Sequence, residues 1–281
     1  MIESYLLEQL AAVAENGTIS AASEALHISQ PSISRSMQKL EGILGVKLFD
    51  RTKNRVELNE NGLLAAEYAR RILQEEEAMV TRVQALDRSR NTITLGASAP
   101  GPLMELVPIL TRAYSGTTIS SELKPEEELL TGLKNDLYQL IVLDHPVEVE
   151  NEELVCTPIG SERLYASIPP GHPAAILKET SFQEMDGTTF LMNANVGIWE
   201  EITRKGMPRA RLIKQESTED LGELVQASSL PSFVTDLTMR LYGMTEGRVA
   251  VPFSDPEAEV SFYLLCKPKN RQKFSTLFPN A

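Results

Sequence analysis

The chain has 281 residues, enough for two or three compact units. Apolar residues make up 42% and charged residues 23%, ordinary values for a globular protein. Met1 to Asn16 carries Glu3, Glu8 and Glu15 and lacks a basic start followed by an apolar core, which argues against a secretory leader. No apolar run approaches the ~18 residues of a membrane span. Cys156 and Cys266 sit in apolar, strand-like runs and read as buried thiols in a reducing compartment, so a cytoplasmic protein without membrane contact is expected. The formal net charge is −12, but its distribution is uneven. Between Ser29 and Arg55, six bases stand against Glu41 and Asp50, a local +4. Beyond Arg90 the acids outnumber the bases by ten. Affinity for a duplex depends on local phosphate contacts rather than on the total.

Ser4 to Glu15 reads as a first helix, apolar at Leu6, Leu7, Leu10, Val13 and Ala14, and ended by Asn16-Gly17. Ser20 is a candidate N-cap for a short small-residue helix that breaks at His27-Ile28. Ser29 then caps another helix, which tolerates Pro31 in its first turn because the N–H groups there have no intrahelical partner. Ile33, Met37 and Leu40 form the buried stripe of that helix. Its opposite face presents Gln30, Ser32, Ser34, Arg35, Gln38 and Lys39. Short hydroxyls and amides can reach base edges, and Arg35 and Lys39 can reach guanine or phosphate. This is helix-turn-helix geometry with a recognition helix sized for the major groove of double-stranded DNA. The expected DNA-reading set therefore begins with Ser29, Gln30, Pro31, Ser32, Ser34, Arg35, Gln38 and Lys39.

Leu44-Gly45-Val46 turns the chain. Leu48 to Arg51 and Arg55 to Leu58 alternate around Thr52-Lys53-Asn54 as a two-stranded wing. Arg51, Lys53 and Arg55 are placed for phosphate or minor-groove contact. From Asn61 a helical run without proline continues to about Arg88. Ala65, Ile72, Met79 and Leu86 recur seven apart, a spacing that suits a helix–helix seam. Glu75 and Arg82 interrupt the intermediate positions, so the seam is not a strong coiled coil.

The residues Ala22, Ser23, Leu26, Ser29-Gln30-Pro31, Ser34-Arg35, Leu40-Glu41, Leu44-Gly45-Val46 and Leu48-Phe49-Asp50-Arg51-Thr52 form a long, gap-free pattern. It resembles the signature of LysR-type transcriptional regulators. The resemblance implies that the long helix pairs antiparallel with its counterpart in another subunit, giving a homodimer or homotetramer. It further implies a two-subdomain effector domain of the periplasmic-binding-protein type.

Downstream, Ile93 to Ala97 reads as a strand and Leu103 to Tyr114 as a helix. Strand Thr118 to Leu123, helix Glu126 to Asn135 and strand Leu137 to Leu143 follow. Glu153 to Ile159 and Glu162 to Ile168 are two further extended runs. A second set comprises strand Thr188 to Met192, helix Gly197 to Lys205, strand Arg211 to Glu216, helix Glu219 to Ala227 and strand Phe233 to Asp236. Val260 to Cys266 is a late apolar strand. Alternating strands and helices argue for a parallel sheet. The expected fold class is α plus α/β. It comprises a winged helix-turn-helix (1–60), a linker helix (61–90) and an α/β effector domain (91–281). By the resemblance, subdomain I is 91–160 plus 262–281, and subdomain II is 161–261. One departure from the family pattern is visible: Ser228-Ser229-Leu230-Pro231 stands where a Gly-x-Gly turn is usual.

Ligands of such folds bind between subdomains, at strand C-termini and helix N-termini. Three loops fall there in sequence order. The candidate effector contacts are Ser98 and Gly101, Asn193 and Asn195, and Ser217 and Thr218, with Asp220 completing a capping box on Ser217. The effector itself is an unknown small molecule. His27, His145 and His172 are far apart and, with two distant cysteines, give no zinc pattern. No nucleophile elbow, phosphate loop or dinucleotide fingerprint occurs, so no catalytic residue, metal or cofactor is assigned. The competing reading is a small-molecule-binding or enzymatic α/β protein with accessory N-terminal helices. The polar face and basic wing of Ser29 to Arg55 speak against it.

Overall fold

The computed structural model describes residues 1–52, 55–88, 91–147 and 154–278. The chain forms two compact units, Met1–Gln84 and Ala85–Ala281.

In the first unit, α1 (Ser4–Asn16) ends on Gly17 at φ 74°, the left-handed conformation glycine adopts without penalty. Helix α2 (Ile19–Ala25) starts earlier than the sequence suggested. Thr18, not Ser20, is its cap: Thr18 Oγ1 accepts the Ala21 amide at 3.1 Å. Ser20 lies inside the helix, where its carbonyl accepts the Ser23 hydroxyl. Helix α3 (Gln30–Leu44) carries Pro31 in its first turn and closes on Gly45 at φ 72°. Ser29 holds the N-cap place without a side-chain bond, and its carbonyl accepts the Ser32 and Ile33 amides.

Strands β1 (Phe49–Thr52) and β2 (Arg55–Leu58) pair antiparallel, with Phe49 opposite Leu58 and Thr52 opposite Arg55. The expected wing tip at Lys53-Asn54 lies outside the described residues. Leu6, Leu10, Ile33, Met37, Leu40 and Leu48 form the core with Ala66 and Ala69 of the long helix α4 (Glu60–Arg88). Gly62 lets α4 approach closely: a Cβ there would stand 2.2 Å from the Leu48 carbonyl oxygen.

The second unit opens with β3 (Thr92–Ala97), α5 (Pro100–Ala113), β4 (Thr118–Leu123), α6 (Glu126–Lys134) and β5 (Leu140–Leu143). Strand β5 begins later than expected, because the Leu137 and Tyr138 amides turn back to the Gly132 carbonyl to finish α6. The two extended runs expected around Gly160 are one strand of 14 residues, β6 (Val155–Ile168). Gly160, at φ 139°, carries the strand on through the gap left between the two expected runs. Next come α7 (Phe182–Met185), β7 (Thr189–Asn193), α8 (Ile198–Gly206), β8 (Arg211–Gln215), α9 (Thr218–Ala227) and β9 (Ser232–Thr235). Then follow α10 (Asp236–Tyr242), β10 (Val249–Pro252), β11 (Glu259–Cys266) and α11 (Pro268–Arg271). Asp236 starts a helix instead of ending a strand, because Thr235 forms a reciprocal capping box with Thr238.

The strands run in the order β4-β3-β5-β11-β6-β9-β7-β8, with β10 also on β6. Pairing is parallel within β4-β3-β5 and within β9-β7-β8. The antiparallel pair β6–β11 joins these two parallel sets, and its register shifts between Phe262 and Tyr263, opposite Gly160 and Pro158. One apolar cluster runs through both, from Ile93 and Leu95 through Leu164 to Phe190, Trp199 and Phe253.

Candidate functional site

The first candidate surface is the exposed side of α3. Ile33, Met37 and Leu40 are buried beneath it, at 0–2% exposure. Gln30, Pro31, Arg35, Gln38 and Lys39 are exposed, as is Ser29, while Ser32 and Ser34 are half-buried. Arg35 Nε donates to the Pro31 carbonyl at 3.3 Å, which lays the guanidinium along the helix. Lys39 departs from the sequence expectation of an unengaged base. Its Nζ forms an ion pair with Glu3 and donates to Tyr5 Oη at 3.1 Å. Glu41 ends the surface: nearly buried, it accepts the Leu48 amide and the Lys47 ammonium, each at 2.9 Å. That contact ties the end of α3 to the start of the wing. Arg51 and Arg55 are described by backbone pairing alone, and Lys53 lies outside the described residues.

The second candidate is the joint between the two parallel sheets of the larger unit. The six expected contacts divide between two places. Asn193 Nδ2 donates to Thr218 Oγ1 at 3.2 Å, and Asn193 Oδ1 accepts the Asn195 amide at 2.7 Å. Ser217 Oγ accepts the Asp220 amide at 3.1 Å, an ordinary helix cap. Asn193, Asn195, Ser217 and Thr218 thus form one polar cluster at the C-terminal ends of β7 and β8. Ser98 and Gly101 lie instead inside a closed contact. The Ser98 carbonyl accepts the Ile198 amide at 2.9 Å. Ser98 Oγ, in a residue 4% exposed, has no hydrogen-bond partner among the described residues. Gly101 is covered by the Glu162 carboxylate, whose Oε2 would meet an added Cβ at 2.4 Å.

Glu162 and Trp199 are functional candidates the sequence reading missed. Glu162 lies two residues after Gly160 in β6 and is 3% exposed. The Trp199 indole N–H approaches its carboxylate at 3.4 Å, and the Thr235 hydroxyl also bonds it. Burial pushes the Glu162 carboxyl above the usual carboxylate range. The Thr235 and Trp199 hydrogen bonds oppose the rise, and the charges of Asp236 and Glu105 add to it. A cavity of about 20 Å³ beside it is bordered by Glu105, Gly160, Asp236 and Arg240, room for a single water. In this arrangement the joint is shut.

The unusual turn at Ser228 to Pro231 is held by another residue the sequence did not mark. The Arg248 guanidinium donates to the carbonyls of Ser167, Val225, Ser228 and Leu230 and to Ser167 Oγ. A cation surrounded by carbonyl dipoles fixes this turn without a glycine pair. The histidines have local roles: His172 Nδ1 accepts the Ala174 amide, and His145 sits between Glu126 and Asp144. Burial raises both thiols, Cys266 to about 11, so they stay protonated near neutrality. Among the described residues, no group of three His, Cys, Asp or Glu could hold a metal ion, and no helix is long and apolar enough to cross a membrane.

A helix-turn-helix with a polar recognition face, followed by a two-subdomain α/β unit with a polar joint, defines a ligand-responsive DNA-binding regulator. Comparison with known proteins narrows the class. Residues 5–63 match the model of the bacterial regulatory helix-turn-helix proteins of the LysR family, and residues 86–276 match the LysR substrate binding domain. The chain belongs to the LysR family of transcriptional regulators, which removes the enzymatic alternative. It is similar to the SDS degradation transcriptional activation protein of Pseudomonas sp. (strain ATCC 19151), 36% identical over 59% of this chain and 56% of that protein. It is also similar to the hydrogen peroxide-inducible genes activator of Dickeya chrysanthemi, 25% identical over 93% of this chain and 88% of that one. A solved variant of full-length OxyR from Pseudomonas aeruginosa aligns over 99% of this chain and 93% of its own, with a TM-score of 0.52 and 18% identity. At that identity the likeness shows the fold alone.

Proposed function

We propose that α3 reads the major groove of duplex DNA through Gln30, Ser34 and Arg35, with Arg51, Lys53 and Arg55 of the wing on phosphate or in the minor groove. The observation that carries this is the exposed polar face of α3 backed by the buried Ile33, Met37 and Leu40. A helix whose apolar stripe is satisfied within its own unit keeps its polar side for a partner. The acidic charge beyond Arg90 is compatible with this, since phosphate contact is local.

Helix α4 supports assembly as a homodimer or higher oligomer. Leu64, Tyr68, Ile72, Met79, Val83 and Leu86 are all close to half exposed or more. An apolar groove of about 290 Å³ runs past Leu7, Leu44, Leu64, Tyr68 and Ile72. Apolar surface of this extent marks an interaction site. Two copies would present two recognition helices to half-sites about one helical turn apart.

In the larger unit, a small polar metabolite binds at the joint, touching Ser98, Asn195 and Thr218, and acts in the cytoplasm. The unpartnered Ser98 hydroxyl supports this, because a buried polar group without a partner is costly and is relieved by a ligand. Such a ligand must favour one closure over the other to signal. The decisive experiment is selection of bound duplexes from a random library, followed by binding of the Arg35→Ala variant. Enrichment of a two-half-site sequence, relaxed at one position by the variant, is expected. Recovery of no consensus would overturn sequence-specific reading.

A further inference from the structure

Lys39 belongs by position to the DNA-facing side of α3, one turn beyond Arg35, yet its ammonium is turned to the segment that opens α1. Glu3 supplies the carboxylate and Tyr5 the hydroxyl at 3.1 Å, and the ammonium stands 5.5 Å from the Tyr5 ring centre. The pairing raises Lys39, through the Glu3 and then the Tyr5 hydrogen bonds, and lowers Glu3, so both stay charged at neutral pH. Glu3 sits at the N-cap position of α1 but makes no side-chain cap bond. Its carboxylate therefore has no helix-capping duty and is committed to Lys39.

We infer that Glu3 is a specificity-determining residue: it withholds Lys39 from DNA phosphate and keeps non-specific binding weak. The inference rests on α3 being the DNA-reading helix. Non-specific affinity for a duplex comes from cation–phosphate contacts, each adding about 0.9 to the slope of log affinity against log salt. A lysine held by a carboxylate on its own chain releases no DNA counterion, and the carboxylate itself repels the phosphate it borders. Both effects subtract from every sequence alike. Base contacts through Gln30, Ser34 and Arg35 are untouched, so the ratio of specific to non-specific binding rises. The pair is exposed on both sides, at 49% and 54%, and such pairs contribute little to stability. Its consequence is where the charge is placed.

The test uses the full-length protein and a short duplex of arbitrary sequence, with anisotropy followed between about 50 and 200 mM salt. Glu3→Gln, with Glu3→Ser as a second variant, should steepen the salt slope by about one and strengthen non-specific binding at the low-salt end at least threefold. Lys39→Ala should leave the slope of the wild type unchanged, yet cancel the gain when combined with Glu3→Gln. Melting temperatures of all variants should stay near wild type. A Lys39→Ala variant that loses about one unit of slope on its own, or Glu3 variants indistinguishable from wild type, would overturn the inference. Arg35→Ala, measured on a two-half-site duplex recovered by selection, separates the two readings: if it leaves that binding and its sequence preference unchanged, α3 is not the DNA-reading surface at all.

Discussion

Gly197 is the position where one added methyl group probes the closed joint of the larger unit. Its backbone stands at φ 59°, ψ −131°, where only glycine is at ease. A Cβ would lie 2.0 Å from the Ser98 carbonyl oxygen, 2.9 Å from its carbon and 3.0 Å from the Ala99 Cα. All three neighbours are backbone, so no side chain can swing away. Gly197→Ala therefore meets two costs. A residue with a side chain in this backbone region costs about 1–3 kcal/mol. Relieving the overlap separates Ile198 N from the Ser98 carbonyl and forfeits a hydrogen bond of about 1 kcal/mol net. Together, about 2–4 kcal/mol work against the closed arrangement, a fall in its population relative to open of roughly thirtyfold to several hundredfold. Trp199, the single tryptophan, is 3% exposed beside this contact and reports the change directly. Its emission should shift to the red, and the radius of gyration from small-angle scattering should increase. Wild-type emission together with a wild-type melting temperature would refute the reasoning, because the loop would then accept a side chain without moving.

The raised Glu162 carboxyl makes stability depend on pH in a defined direction. The folded chain holds this proton in the window between the ordinary value, 4.5, and the raised one. Its stabilising contribution is full below that window and is lost as pH rises through the raised value, so Glu162→Gln should flatten that part of the urea-midpoint profile and of the Trp199 emission profile. An Arg248→Ala variant strands four carbonyls and should lose at least one charged hydrogen bond's worth of stability, about 1.5–3 kcal/mol, seen as a lower urea midpoint at constant slope. Charged residues at Ile72 and Met79 should release monomers and abolish two-half-site binding; a soluble double variant that remains dimeric by light scattering would reassign that seam. Thr218→Val, which keeps volume and removes the hydroxyl bonded to Asn193, should weaken the response to an effector found by thermal-shift screening of metabolites.

Much of the helix-turn-helix unit could be read because each of its elements is decided locally. The α3 stripe, Gly17 and Gly45 all act within a few residues of themselves. Strand β4 was placed residue for residue, because turn residues bound it on both sides. Where distant partners decide, the reading stopped short. Lys39 looked free because Glu3 lies 36 positions away. Two runs were expected on either side of Gly160, but pairing with β11 carries one strand through. Glu162 entered only as the first residue of an expected strand, and it is the packing of Gly101 and Trp199 over it that makes it a buried acid. Arg248 carries no sequence cue at all, since its acceptors are main-chain carbonyls of four separate residues.

The two strands that carry the chain between the parallel sheets, β6 and β11, are hydrogen-bonded to each other along their length. Two independent linkers would leave the halves free to swing in several directions. A paired ribbon resists bending in its own plane and yields mainly by twisting, with the register shift opposite Gly160 as its softest point. Opening of the joint should therefore follow one dominant coordinate, a rotation about the ribbon. With the ligand bound at the joint as proposed above, occupancy would be passed on as an angle and partial occupancy as a mixture of two angles, a response graded across a population and two-valued in each molecule.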